Sequence, residues 1–450
     1  MNTAPVALLI HPPVYDFAFY DLYAKPYGLL KVGRWLESAG YEVRFVNALD
    51  RYDPCSTAEL GALKRRSDGT GKLWKTFAEP PAPVAAGRRY GRYGITRDSF
   101  RLRLREAALD SIGKVRPPNV ILVGTGMTYW YEGVRETVLL CRELFPGVPV
   151  AAGGVYASLM PDHCERVSGV DHAVAGEAYP ALSRLLSSLG LPAPGSPPPE
   201  AVLPLAAVWR DSAAIRLNRG CPMSCSYCAS RLLCPDFTPG DPEAAFRSVL
   251  ELHERCGTVN FAFYDDALLS HKHRVLHPFL ERVSASGLPV RFYTPNAVHI
   301  RSIDAETARL MRRAGFQELR LGFESSSAEF HEAHDRKVGI DELLSALETL
   351  DAAGFPRASV GVYILAGLPG MRAAEVEDSV RYARSAGVRV RIAEYSPVPG
   401  TALWEASVRA SAFPLAEEPL YHNNTLLPCE WEGFTRADLE RLKAFARQPL

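Results

Sequence analysis

The clearest chemistry in this chain lies in three cysteines, Cys221, Cys225 and Cys228, within the run Asn218-Arg219-Gly220-Cys221-Pro222-Met223-Ser224-Cys225-Ser226-Tyr227-Cys228. Their spacing is C-x3-C-x2-C, and a loop so short can turn all three thiolates onto one small object. Thiolates are soft ligands that suit iron–sulfur clusters or zinc. A [4Fe–4S] cube with three protein ligands keeps one iron open, and a metal with an open position can bind and activate a substrate. The alternative is a structural zinc site with Cys234 as fourth ligand. Zinc ribbons pair two C-x2-C knuckles, and the chain has no second one.

The loop needs a scaffold, and the flanking sequence predicts a barrel. Candidate strands fall at residues 214–217, 260–264, 290–294, 319–323, 359–364 and 389–393, with helical stretches between them. Six such repeats predict a partial (β/α)6 TIM-type barrel, whose functional residues sit at the carboxyl ends of the strands. The first strand runs into the cysteine loop, and the second ends in Asp265-Asp266. The fourth ends in Glu324-Ser325-Ser326, and the fifth in Gly367-Leu368-Pro369-Gly370. Helix capping is the plain alternative for each Asp and Ser taken singly.

The first half alternates too. Apolar strands are expected at residues 6–10, 41–46, 120–123, 148–152 and 172–175, with helices at 28–39 and 133–145. This predicts a doubly wound, Rossmann-like parallel sheet, with ligands beyond its carboxyl edge. Gly124-Thr125-Gly126, Gly153-Gly154 and Gly176-Glu177 fall on that edge, where glycine lets a backbone approach a ligand closely. The expected organisation is a first domain over 1–190, a proline-rich linker over 191–206, the barrel over 207–405 and an extension over 406–450. Residues 51–118 interrupt the first domain as a basic insertion or lid, holding Lys64-Arg65-Arg66, Arg88-Arg89, Arg92, Arg97, Arg101, Arg103 and Arg105. A solvated helix face, a lid over an anionic ligand and a nucleic-acid patch are the readings for such a run.

Composition narrows the partners. Lys plus Arg is 51 and Asp plus Glu is 51, so the formal charge is zero and disfavours nucleic acid or an anionic membrane as a partner. Nine cysteines, six of them scattered, form no disulfide framework and fit a reducing cytoplasm. Neither a secretory leader nor an apolar run of about 18 residues is visible, so a cytoplasmic protein is expected. His422 reads as a packing residue, and residues 435–447 as a helix capped by Thr435.

The cysteine spacing, with Tyr227 before the third cysteine, resembles the cluster loop of radical S-adenosylmethionine (SAM) enzymes. The resemblance implies a [4Fe–4S] cluster on Cys221, Cys225 and Cys228, SAM chelated at the open iron, and reductive cleavage to a 5′-deoxyadenosyl radical. It implies SAM contacts from Asp265 or Asp266 (ammonium), Glu324 (ribose), Ser325 or Ser326 (carboxylate) and Gly367 and Gly370 (adenine). A Gly-Gly-Glu run common in the family is replaced here by the Asp pair. The first domain resembles the cobalamin-binding domain that precedes many radical SAM domains, through Ile10-His11-Pro12-Pro13, Gly124, Thr125, Gly126, Gly153, Gly154 and Gly176-Glu177. The Asp-x-His-x-x-Gly motif that places a histidine under cobalt is missing. Taken together, these features imply cobalamin-dependent methylation of an unactivated carbon on a small-molecule substrate, with an electron donor such as flavodoxin or ferredoxin. Ring closure, rearrangement or epimerisation is the enzymatic alternative. A non-catalytic corrinoid- or zinc-binding module is the alternative of another class.

Overall fold

Continuous apolar runs such as Val6-Ala7-Leu8-Leu9-Ile10 suit strands buried on both faces, and these five residues are wholly buried. The computed structural model describes residues 4–82, 84, 89–197 and 202–449. Arg88 of the basic run, Pro198 and Pro199 of the proline-rich stretch, and Met1-Asn2-Thr3 lie outside the described residues. The chain divides into two compact units, Met1–Asp211 with Glu254–Gly257, and Ser212–His253 with Thr258–Leu450.

The first unit is built on five parallel strands: β1 (Val6–His11), β2 (Glu42–Asn47), β3 (Val120–Thr125), β4 (Val150–Gly154) and β5 (His172–Val174). Their spatial order is β2-β1-β3-β4-β5, and every neighbouring pair is parallel. This is the 2-1-3-4-5 doubly wound order, with its topological switch between β1 and β3. Helices α1 (Tyr27–Ser38) and α2 (Tyr131–Leu144) match the two expected helical stretches within two residues at either end. Strand β4 begins later than expected because Pro149 has no N–H and the Val148 amide is used on Phe145 O.

The described residues of the 51–118 stretch include strands and helices of their own. Strands Lys75–Phe77 and Gly91–Tyr93 join Val14–Asp16 in a small antiparallel sheet, and a helix covers Arg97–Glu106. Much of its positive charge is used internally. Buried Arg92 pairs with Glu136 at 2.9 Å, Arg103 with Asp53 at 2.9 Å, and Arg101 with Glu143. Arg97 donates to Tyr15 Oη at 2.9 Å.

The second unit carries β6 (Ala213–Ile215), β7 (Asn260–Phe263), β8 (Arg291–Tyr293), β9 (Phe316–Glu324), β10 (Val360–Ala366) and β11 (Arg389–Glu394). They form one parallel sheet in sequential order, β6 to β11, as a partial TIM-type barrel requires. The crossovers include α3 (Pro242–Cys256), α4 (Leu276–Ser286), α5 (Ala305–Ala314), α6 (Ala328–His334), α7 (Ile340–Ala352) and α8 (Ala373–Ser385). Phe263, Phe279, Phe292 and Phe316 pack ring against ring in the core, with Phe263 and Phe316 stacked at 5.4 Å. Beyond the barrel, Thr435 caps the helix Arg436–Arg447 and Asp438 reciprocates on its backbone amide. His422 is wholly buried, with Nε2 against Leu415 O at 2.8 Å and its ring edge-on to Trp404. Among the described residues no helix is long and apolar enough to cross a membrane.

Candidate active site

The cysteine loop leaves β6 two residues earlier than the apolar pattern suggests, and Asp265 is the reason. Its carboxylate accepts from the Leu217 amide at 3.0 Å and the Asn218 amide at 2.6 Å, taking the place of ladder partners. Asp265 is buried and thereby positions the entry to the loop. Gly220 follows with φ +76°, and a Cβ there would stand 2.7 Å from Asp236 O, so glycine is required. The loop's far side is fastened to the end of α6: Ser226 N donates to His334 O at 2.8 Å and Ser226 Oγ meets His334 Nδ1 at 2.8 Å.

Cys221 is buried, Cys225 half-buried and Cys228 exposed, so the three sulfurs run from the interior to an open face. Burial raises the Cys221 thiol and pushes Cys225 up to about 11, against the opposing charge of Lys337. A bound cation reverses this, since a coordinating thiol is deprotonated outright. The Ser230 amide already points at Cys228 Sγ, 3.4 Å away, as a donor to a metal-bound sulfur does. Cys234 instead donates its thiol proton to Asp236 O at 3.4 Å. Zinc with bonds of about 2.3 Å needs its sulfurs roughly 3.8 Å apart. Among the described residues the cysteines do not form a group of three or more ligand atoms within 4.8 Å of one another. A set of three soft thiolates on one short loop fits an iron–sulfur cluster with one open iron.

Beneath the loop lies a network of buried charges. Tyr227 Oη donates to Asp335 Oδ2 at 2.9 Å and accepts from Lys337 Nζ at 3.1 Å. Lys337 also pairs with Glu324 at 2.7 Å. His331 holds the other oxygen of Asp335 at 2.8 Å and reaches Ser325 O with its second nitrogen at 2.8 Å. Burial alone would lower His331, but Asp335 and the Ser325 carbonyl raise it. Burial would likewise raise Asp335, but His331 and Lys337 hold it below the usual carboxylate range. The Tyr227 hydroxyl is raised by burial and by the carboxylates around it. Asp335, Lys337 and His331 carried no signal in the sequence. They sit in and just after α6; His331 and Asp335 pair with each other four residues apart, while Tyr227, Glu324 and Ser325 lie outside α6.

Glu324 has φ +66°, a left-handed conformation uncommon for a side chain of this kind, at the carboxyl end of β9. Such strain persists where the surroundings enforce it and gathers at functional sites. Ser325 and Ser326 both approach Ser379 Oγ on α8, at 3.4 and 3.2 Å. Gly367 and Gly370 take positive φ after β10, +88° and +76°. Asp266 is exposed and lies beside Arg216 and hydrogen-bonded to Ser230, so it adjoins the cysteine loop. Around one set of strand ends the fold therefore gathers Asp265, Asp266, Glu324, Ser325, Gly367 and Gly370 with the three cysteines.

The glycines of the first unit divide. A Cβ on Gly154, at φ +122°, would lie 2.3 Å from Thr125 O, and one on Gly126 would lie 2.5 Å from the Trp130 ring. These two answer to packing within the protein. Gly124 faces Leu29 at 3.3 Å, whereas Gly153 meets nothing closer than 3.8 Å and Gly176 nothing within 4 Å. Thr125 Oγ1 donates to Gly153 O and accepts from Ala157 N, both at 3.2 Å, tying β3 to β4 and the next helix. His11 Nδ1 meets Asn47 Oδ1 at 3.0 Å, and burial lowers its imidazole to about 4. The carboxyl edge is thus a braced, glycine-bearing rim in which a Cβ would meet ordinary contact at Gly153 and open space at Gly176.

Residues 215–383 match the profile of the Radical SAM superfamily. Two curated proteins are similar in sequence. The anaerobic magnesium-protoporphyrin IX monomethyl ester cyclase of Synechocystis sp. is 22% identical over 47% of this chain and 49% of its own length. The GTP 3′,8-cyclase of Geobacter sulfurreducens is 28% identical over 29% of this chain and 38% of its own length. The chain therefore spans half or less of the curated relatives it matches. Among solved structures, the radical SAM methyltransferase TsrM from Kitasatospora setae, with tryptophan and a SAM analogue bound, superposes with TM-score 0.66 at 16% identity, covering 98% of this chain and 89% of that one. TsrM has also been solved with cobalamin and a [4Fe–4S] cluster. The cobalamin-dependent radical SAM enzyme OxsB superposes with TM-score 0.56 at 11% identity, over 95% of this chain and 57% of that one. At these identities the structural likeness is one of fold: a Rossmann-like parallel sheet followed by a partial TIM barrel.

Proposed function

We propose that this chain is a radical SAM enzyme that uses cobalamin to methylate an unactivated carbon of a small-molecule substrate. The supporting observation is the three-cysteine loop at the carboxyl end of β6, in a chain whose first unit is a 2-1-3-4-5 parallel sheet with a glycine-bearing rim. When bound, the cluster with SAM supplies a carbon-centred radical and cobalamin a transferable methyl group. The protein's share is to bind, orient and exclude water. Cys221, Cys225 and Cys228 would hold the cluster, and the Ser230 amide would donate to the Cys228 sulfur. Asp266, the member of its pair not committed to backbone amides, would accept from the SAM ammonium. Lys337 holds Oε1 of Glu324 and so aims Oε2, which would accept from the ribose hydroxyls. Ser326 would donate to the SAM carboxylate, and the turn from Gly367 to Gly370 would leave backbone for adenine. Gly153 and Gly176 would face the corrinoid. An electron donor of the flavodoxin or ferredoxin class completes the requirement.

Ring closure without methyl transfer is the second reading, favoured by sequence similarity to two cyclases. One experiment separates them. The protein is reconstituted anaerobically with iron, sulfide and hydroxocobalamin, desalted, and supplied with methyl-labelled SAM, reductant and cell extract. Retained corrinoid, with 5′-deoxyadenosine and S-adenosylhomocysteine formed together, is expected. Deoxyadenosine without S-adenosylhomocysteine, in the presence of a consumed substrate, rejects methyl transfer and supports ring closure. Loss of all corrinoid from cluster-replete protein rejects the cobalamin assignment.

A further inference from the structure

On the outside of the barrel, His273 in the turn before α4, His277 in its first turn and Glu306 in the first turn of α5 bring one ligand atom each within 4.8 Å of the others. His277 is buried, whereas His273 and Glu306 are exposed. The His277 Nδ1 and Glu306 Oε2 atoms stand 3.8 Å apart, and the two imidazoles meet edge to face at 4.7 Å. The tautomer of His277 follows from its neighbours. Asp304 is paired with Lys272 at 2.5 Å and can only accept. It takes the Thr307 amide at 2.8 Å and the Thr307 hydroxyl proton. Having given that proton away, Thr307 Oγ1 accepts from His277 Nε2–H at 2.9 Å. In that tautomer His277 Nδ1 carries a lone pair and stands 3.8 Å from the Glu306 carboxylate oxygen.

We propose that His273, His277 and Glu306 form a second metal site, separate from the cysteine loop, that takes one zinc-class divalent ion with an open position for water. Lone pairs gathered this closely call for a cation, and two imidazoles with one carboxylate are a standard ligand set for zinc. The Thr307 bond is the kind of support that fixes a ligating histidine. A tetrahedral ion with bonds of about 2.0–2.1 Å sets its ligand atoms roughly 3.3–3.4 Å apart, closer than the 3.8 Å between His277 and Glu306 and the 4.8 Å that bounds the set, and the exposed His273 and Glu306 side chains can move to close that gap. The site would clip the loop Ala267–Val275 onto α5. Its start follows Asp265-Asp266, and Asn218, just ahead of the cysteine loop, donates to Leu268 O and Ser270 O at 3.4 Å. Lys272 already fastens the same loop to Ser302 O at 2.7 Å. The ion thus closes a brace that begins at the cluster's own strand.

The test uses cluster-reconstituted protein incubated anaerobically with zinc chloride, desalted, and analysed for zinc and iron together. One zinc per chain with unchanged iron, and a higher melting temperature, are expected. His273→Ala and Glu306→Gln, both on exposed side chains, should each lose the zinc and the thermal shift while keeping the iron. Failure of the parent protein to retain zinc overturns the proposal and leaves a proton-bridged His277–Glu306 pair. Zinc retained equally by both variants, or zinc gained only as iron is lost, also overturns it, since the ion would then sit elsewhere.

Discussion

Replacing Lys337 with Met tests the buried network beneath the cysteine loop. The Lys337 side chain is 10% exposed, Glu324 11% and Asp335 not at all. At an effective dielectric of about 20, the 2.7 Å contact with Glu324 is worth roughly 6 kcal/mol before desolvation. Desolvation of both ions cancels much of this, but removing one partner leaves the other buried and unpaired, at a cost of about 3–5 kcal/mol. Asp335 keeps His331 and Tyr227 as partners in the variant, so the stranded charge is Glu324. Neutralising it should recover stability. The double variant Lys337→Met with Glu324→Gln is expected to be more stable than Lys337→Met alone by more than about 1 kcal/mol. Urea unfolding followed by circular dichroism measures both. A single variant within about 1 kcal/mol of the parent, or a double variant no more stable than the single, would refute the buried-pair account.

Iron analysis after reconstitution should show that Ala at Cys221, Cys225 or Cys228 removes the cluster and all SAM cleavage, while Cys234→Ala changes neither; iron loss in Cys234→Ala would restore a four-cysteine site. Gly154→Ala must place a side chain at φ +122° and ψ −159°, 2.3 Å from Thr125 O. The backbone alone costs roughly 1–3 kcal/mol there, so a clear fall in melting temperature is expected, and an unchanged one would contradict the close approach of β3 and β4. Burial holds the His163 imidazole, bonded to Tyr156 Oη at 2.7 Å, down at about 4. The unfolded chain protonates near 6.5, so this stability is complete above that pH and is lost as pH falls towards 4. By pH 5 the loss is about 2 kcal/mol, and the pH 7-to-5 drop in urea midpoint should shrink in His163→Gln; equal drops would show that His163 does not titrate this way.

Local pattern alone was enough for the parts of this protein that repeat along the chain. C-x3-C-x2-C marks candidate ligands because a short loop has little choice of where to put its sulfurs. Buried parallel strands read as apolar runs, and the glycine or acidic residues after them mark the carboxyl edge. Strand starts and stops were legible only within three residues, because they depend on partners such as the Asp265 carboxylate or the missing amide of Pro149. Partnership across the chain was not legible at all. Tyr227 meets Asp335 and Lys337 more than a hundred residues away, and Arg92, read as part of a basic run, lies buried against Glu136. Asp265 and Asp266 look equivalent in sequence, yet one holds the backbone of the loop and the other lies exposed beside it. Gly126 and Gly154 read as ligand-facing, yet neighbouring atoms leave no room for a Cβ. Spacing along a strand or loop is set by covalent geometry and can be read residue by residue. Which charge meets which, and whether a glycine serves a ligand or a neighbouring strand, is decided only when distant segments are brought within a few ångströms.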